Sequence, residues 1–173
     1  MKIELGGGTR GIGEGFQNVD TGEGADIVHD LNEPPWPFSD NSVDEVYSSH
    51  CLEHLDDPLS ALLEIGRICR VGSLVVLRLP DPLSEGAMVY GHNHTIGEVV
   101  LRNMLEHFPS DKWWDIGKIL KLNHVEPRAD PTWFHRARDS RLFIEWSDEE
   151  ILAFIPRTCH ENEFTFEVIE WQR

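Results

Sequence analysis

Four side chains in the first fifty residues have the types and spacing to do chemistry: Glu4, Asp20, Asp30 and His50. The three carboxylates fall at the ends of consecutive short runs that read as strands, and ligands of open α/β sheets collect at such ends. A carboxylate there accepts hydrogen bonds from hydroxyl and amino groups and favours a cationic ligand. His50 follows the run Val43–Ser49 in the segment YSSHCLEH. It is the first candidate for taking a proton from an acceptor or positioning it, with Glu53 and His54 behind it. The alternative is that His50 and His54 only cap and pack the turn into the next helix. Gly91-His92-Asn93-His94 places two histidines two apart. No cysteine or acid stands nearby at metal spacing, so the stretch reads as a loop and no metal is expected.

The first carboxylate opens the stretch ELGGGTRGIGEGFQNVD, residues 4–20. Gly6, Gly8 and Gly11 spell the dinucleotide fingerprint G-x-G-x-x-G, and Asp30 lies nineteen residues past Gly11. A pyrophosphate needs a helix opening at the third glycine. Residues 12–25 hold Gly13, Gly15, Gly22 and Gly24, each costing about 1 kcal/mol in a helix interior. The seven residues between Gly8 and Phe16 are also too few for a helical crossover. NAD is therefore not expected. A cofactor without phosphates needs no such helix end. S-adenosyl-L-methionine (SAM), with its sulfonium cation, amino-acid end, ribose and adenine, suits three carboxylates at strand ends.

The elements that position these residues follow from periodicity. Strands are expected at Lys2–Leu5, Phe16–Val19, Asp26–His29, Val43–Ser49 and Ser73–Leu79, the last apolar enough to be buried on both faces. Asp57 as N-cap and Pro58 in the first turn open a helix through Leu59, Leu62, Leu63 and Gly66. Arg67 and Arg70 suit its last turn, and Gly72 is the expected stop. Strand, helix, strand implies a parallel crossover and an α/β fold. Further on, Thr95 to Glu98 is a capping box for a helix to about Phe108, stopped by Pro109. Ser110 caps another, through Trp113, Ile116, Ile119 and Leu120. Residues 123–140 read as an irregular loop, and Ser147 to Glu150 as a capping box for a helix that Pro156 ends. Residues 163–171 read as a final strand, with an antiparallel setting left open, whose apolar phase slips between Val168 and Ile169 and implies a bulge or burial on two faces. The sum is one α/β domain with a mostly parallel sheet of about six strands.

Thirty-one acids against fifteen bases give a net charge of −16, which disfavours a nucleic-acid substrate. No apolar run approaches twenty residues, so no membrane span is expected. Cys51, Cys69 and Cys159 are scattered and odd in number, as suits reduced thiols in a cytoplasmic protein.

ELGGG resembles motif I of the class I SAM-dependent methyltransferases, and PWPFSDNSVDEVYSSHCLEHLDDP resembles their type-11 group. RVGSLVVLRLPDP is similar, in shortened form, to that group's R-V-L-K-P-G-G and fifth strand. The resemblance covers about residues 1–82 and is closest to a compact subgroup whose first helical crossovers are reduced to loops. It implies a Rossmann-like methyltransferase sheet with SAM as cofactor. Glu4, Gly6, Gly7 and Gly8 would line the methionine end, and Asp20 would hold the ribose. Asp30 and Leu31 would meet the adenine, and His50 would face the methyl group. Residues 1–82 would then be the cofactor core, 83–146 an insert that selects the substrate, and 147–173 a terminal helix and strand. The implied activity is methyl transfer to a small-molecule or saccharide-like acceptor. Arg10 stands where the family has its third glycine, and the first helix is missing. A non-catalytic SAM-binding or scaffold protein is therefore the alternative, and a homodimer that completes the site stays open.

Overall fold

The computed structural model describes residues 1–9, 11–13, 15–106, 119–129 and 159–169. Its strands are β1 (Lys2–Leu5), β2 (Phe16–Asp20), β3 (Ile27–Val28), β4 (Val43–Ser49), β5 (Cys69–Pro80), β6 (Leu120–Ala129) and β7 (Cys159–Val168). Its described α-helices are α1 (Pro58–Ile68) and α2 (Glu98–Glu106). The strands form one seven-stranded sheet in the order β3-β2-β1-β4-β5-β7-β6. The pairs from β3 to β5 are parallel, and β7 runs antiparallel to both β5 and β6. The strand order reverses beside β1, between β2 and β4, and that reversal places a ligand crevice at the carboxyl ends of β1 and β4.

The helical crossover expected between β4 and β5 is present. Asp57 Oδ1 accepts from the backbone N–H of Leu59 (3.1 Å) and Ser60 (3.2 Å), and Pro58 takes a first-turn position where its missing N–H costs nothing. Leu59, Leu62, Ile65 and Ile68 bury one side of α1 in a core that includes Ile3, Leu5, Val46, Val75 and Leu77. Gly66 allows the close approach of Ile119: a Cβ there would lie 2.4 Å from Ile119 Cγ2. On β7, Phe164, Phe166 and Val168 are buried, alternating with partly exposed Glu163, Thr165 and Glu167. That alternation is the mark of a strand with one packed face.

Several expectations are corrected. The helix ends at Ile68, and Gly72 lies inside β5 at φ +86. It serves a bulge there, where the β4–β5 register jumps from Val43↔Cys69 to Glu45↔Leu74. β5 is not buried on both faces: Val75 and Leu77 are inaccessible, while Leu74 is 41% exposed. Leu120 belongs to a strand rather than a helix, and residues 120–129 form the edge strand β6 instead of a loop. Pro127 is tolerated because an edge strand needs only one of its sides for pairing. The irregularities adjoining β7 occur in its pairing with β6, between Leu122 and His124 and between Arg128 and Ala129, whereas Val168 ends β7 and Ile169 is exposed. β6 lies inside the stretch 83–146, so that stretch is partly sheet. The expected helices through Trp113 and from Ser147 to Pro156 lie outside the described residues, as do Arg10, Phe108 and Pro109. No helix among the described residues is long and apolar enough to cross a membrane.

Candidate active site

A cavity of about 250 Å³ opens at the carboxyl ends of β1 to β4. Gly6 reaches it from the turn after β1, Asp20 from the end of β2, His29 to Asn32 from the turn after β3, and His50, Cys51, His54 and Leu55 from the segment after β4. Of the residues singled out in the sequence, Gly6, Asp20, Asp30, Leu31 and His50 converge here. Glu4, Gly7 and Gly8 stand behind it as support.

That support is a set of hydrogen bonds from the glycine turn to β2. The N–H of Gly6 donates to the Val19 carbonyl (2.9 Å), Gly7 N–H to Asn18 Oδ1 (3.0 Å) and Gly8 N–H to Asp20 Oδ2 (2.9 Å). Asn18 Nδ2 returns a bond to the Gly8 carbonyl (2.7 Å). Glu4 is buried, and its Oε2 accepts from the Ile12 N–H, so it pins the far end of the loop. Gly6 sits at φ +72, and a Cβ there would lie 2.5 Å from Cys51 Sγ. Only glycine fits between the turn and the segment after β4. The loop links two parallel neighbours without a helix among its described residues, as its glycine content requires.

Asp20 is held ready for a ligand. Beyond the Gly8 contact, its Oδ1 accepts from the Gly22 N–H at 3.0 Å. Oδ1 also takes a long contact from the Thr21 hydroxyl (3.5 Å); a carboxylate offers about four lone-pair sites, so Oδ2 keeps acceptor capacity for a ligand hydroxyl, and Oδ1 gains it if Thr21 turns away. Asp30 Oδ1 accepts from Asn32 N–H (2.9 Å), which orders the turn that carries Leu31. Leu31 and Leu55 are buried apolar residues of the same cavity, as a flat heterocycle needs. Acceptors at Asp20 and Asp30, an apolar wall and two negative charges form a donor set that fits SAM.

His50 takes a left-handed backbone (φ 53), with its N–H bonded to the Arg78 carbonyl at 3.0 Å. Its Nε2 lies 2.9 Å from Glu161 Oε2 and its Nδ1 3.3 Å from Glu53 Oε1. The Glu161 carboxylate first, and that of Glu53 second, raise its pKa to about 9 despite burial. With both ring nitrogens facing carboxylates, His50 has no lone pair to take a proton. The base role expected from sequence gives way to that of a charged donor with a fixed ring. Cys51 also lines the cavity, but burial first and the Glu53 charge second push its thiol up to about 12, so it stays protonated and packs.

Sequence reasoning missed Thr21, His29, Asn32, Cys51 and Leu55 as lining residues, and it missed what holds the wall. Arg67, read as a helix-end cation, clamps the segment that follows Leu31. Its Nε and Nη2 grip Glu64 (2.8 and 2.7 Å), and Nη1 reaches the Phe38 carbonyl and Asp40 Oδ1, both at 2.8 Å. Nη2 also donates to the Trp36 carbonyl at 3.1 Å. Trp36 is 2% exposed and donates its indole N–H to the Leu31 carbonyl at 3.1 Å. The legible signal was Trp36 itself, a tryptophan among prolines that must bury somewhere.

The Methyltransferase domain family model matches residues 17–77, from β2 to β5. An uncharacterised methyltransferase of Schizosaccharomyces pombe is 28% identical over 133 residues, covering 73% of this chain and 45% of its own length. The chain thus spans less than half of that relative. Among solved structures, a chain of the complex between the Haloferax volcanii Trm112 methyltransferase activator and a candidate methyltransferase is similar in fold, with a TM-score of 0.64 at 19% identity. That match covers 98% of this chain and 82% of the other. A SAM-dependent methyltransferase from Archaeoglobus fulgidus has a TM-score of 0.61 at 19% identity, covering 96% of this chain and 85% of its own. With the strand order, the cleft at its reversal point and the matched segment agreeing, the chain has the Rossmann-like fold of the class I SAM-dependent methyltransferases, and its segment 17–77 is similar to their methyltransferase domain.

Proposed function

We propose that the cleft binds SAM and that the protein transfers its methyl group to a small-molecule or saccharide-like acceptor. The observation that carries this reading is the convergence of Gly6, Asp20, Asp30, Leu31 and His50 on one cavity at the strand-order reversal. Asp20 holds the ribose hydroxyls, Asp30 and Leu31 meet the adenine, and the Gly6 turn leaves room for the methionine end. Bound there, SAM supplies a methyl carbon made electrophilic by its sulfonium. Alignment of the acceptor with that carbon provides much of the rate, and His50, fixed by Glu53 and Glu161, orients the acceptor. Residues 83–146 select the acceptor, a reading supported by the concentration of five of nine histidines and three of six tryptophans between 92 and 135. The net charge of −16 argues against a nucleic-acid substrate. A cytoplasmic location and a homodimer complete the proposal.

The test is ligand-dependent stability. At a hundredfold excess over Kd, a ligand of the folded state adds about 2.7 kcal/mol, or roughly 5 °C or more in Tm for a domain of this size. SAM and its demethylated product should give that shift, and NAD, NADP and ATP should not. Asp20→Ala should remove most of it, since hydrogen bonds to a charged acceptor contribute about 1.5–3 kcal/mol. A shift with NAD and none with SAM would overturn the reading. A SAM shift with no transfer to any acceptor would favour the non-catalytic alternative.

A further inference from the structure

We propose that Glu53, His54 and His92 form a binding site for a divalent transition-metal ion beside the cleft. Glu53 and His54 lie in a 3-10 turn (Leu52–His54) that follows β4, and His92 arrives from a loop almost forty residues later. The loop is stitched to the turn. The N–H groups of Asn93 and His94 both donate to the Glu53 carbonyl (2.8 and 3.1 Å), and Asn93 Nδ2 donates to the His54 carbonyl (2.8 Å). The result is one carboxylate and two imidazoles whose ligand atoms all lie within 4.8 Å of one another. From sequence, His92 lacked an acid at metal spacing. The fold supplies Glu53.

Burial makes this cluster point to a ligand. Glu53 is 1% exposed, and neither of its carboxylate oxygens makes a hydrogen bond. The His92 side chain is 9% exposed, and its Nδ1 is likewise buried and unpartnered. His92 Nε2 lies 4.0 Å from Glu53 Oε1, and the only closer imidazole nitrogen among the described residues is His50 Nδ1 at 3.3 Å. A carboxylate withdrawn from water costs several kcal/mol unless cations face it; the His50 ring meets Oε1 at 3.3 Å, and Oε2 is left to a further cation. The turn is nevertheless closely hydrogen-bonded in its backbone, which holds the carboxylate in this place.

The ligand chemistry selects the ion. Imidazole with carboxylate suits zinc and its neighbours in the first transition row, whereas magnesium and calcium prefer oxygen alone. Ligand bonds of about 2.0–2.2 Å set tetrahedral ligand atoms roughly 3.4 Å apart, so side-chain shifts of an ångström or two close the site. His54 is already oriented for this. Its Nδ1 lies 2.9 Å from the Gly91 carbonyl, which can only accept, so Nδ1 carries the proton and Nε2 the lone pair. Its ring stands edge-on to His92, with centroids 4.5 Å apart. Three protein ligands leave a position open for water. His94, two residues on, turns away to the Asp56 carbonyl at 3.2 Å and is no ligand.

The experiment titrates the full chain, stripped of metal with a chelator, with Zn²⁺ by calorimetry and with Co²⁺ by visible absorption. The expected result is one tight equivalent, with cobalt ligand-field bands of low coordination number. His92→Ala should weaken binding at least tenfold and abolish those bands, while His94→Ala leaves both unchanged. Glu53→Gln should weaken binding similarly. If that variant misfolds by circular dichroism, His92→Ala alone decides. Zn²⁺ should also raise the Tm of the parent and not of His92→Ala. Absence of binding below about 100 μM, or equal losses in His92→Ala and His94→Ala, would overturn the assignment. Neither readout depends on SAM or on methyl transfer.

Discussion

Replacing Arg67 with alanine tests whether the Leu31 wall of the cleft is held at a distance. The guanidinium is 14% exposed and donates to Glu64, Asp40 and the carbonyls of Trp36 and Phe38. Hydrogen bonds to charged groups contribute about 1.5–3 kcal/mol each, but those within one network do not add. Removing one partner of a fully buried ion pair costs about 3–5 kcal/mol, and screening at this partly exposed site lowers that. We therefore expect about 2–4 kcal/mol of destabilisation, read as roughly 5–12 °C in Tm or from urea midpoints. Glu64, left without its partner, supplies part of the loss. The double variant Arg67→Ala/Glu64→Gln should thus be less destabilised than the sum of the singles. Arg67→Lys should recover less than half, because a point charge cannot span two carbonyls and a bidentate carboxylate. Trp36 ties this clamp to the Leu31 carbonyl, so SAM affinity by calorimetry should fall several-fold at a temperature where the variant is folded. A loss below about 1 kcal/mol, or a lysine variant equal to the parent, would refute the clamp.

Gly6→Ala should cost at least about 2 kcal/mol by urea denaturation, since left-handed backbone costs about 1–2 kcal/mol and the new Cβ meets Cys51 Sγ at 2.5 Å. Burial pushes the Glu64 carboxyl up, but its bonds from Arg67 and the Trp36 N–H outweigh this and hold it below its ordinary 4.5. A depressed folded pKa gives stability that is present above the unfolded value and lost as pH falls through the folded one. Tm should therefore drop below about pH 4.5, and less steeply in Glu64→Gln, as calorimetric scans across pH would record. His50→Ala should leave SAM affinity nearly unchanged while turnover falls at least tenfold; equal turnover would return His50 to a packing role.

Much of the cleft was legible in the chain because its rules are local. A run of glycines forbids a helix within its own few residues, and an N-cap aspartate followed by proline starts one at the next position. Asp20, Asp30 and His50 could be placed at strand ends because an apolar run and its end are contiguous in sequence. The same locality explains the errors at Gly72 and Leu120. Each lies where a helix-like pattern meets a strand, and the pairing of β5 and β6 with neighbours far along the chain decided the outcome.

The sequence by itself determined the α/β class, the loop in place of a first helix, the start of α1 and the acids that reach the cleft. Tertiary structure alone decided the state of His50, whose carboxylate partner Glu161 is 111 residues away. It also made Arg67 a clamp on Trp36 and Phe38, and brought His92 to Glu53. The physical reason is that electrostatics and burial depend on distance in space. A ring nitrogen becomes a donor, or a carboxylate loses its water, only when the sheet carries distant segments to within a few ångströms of each other.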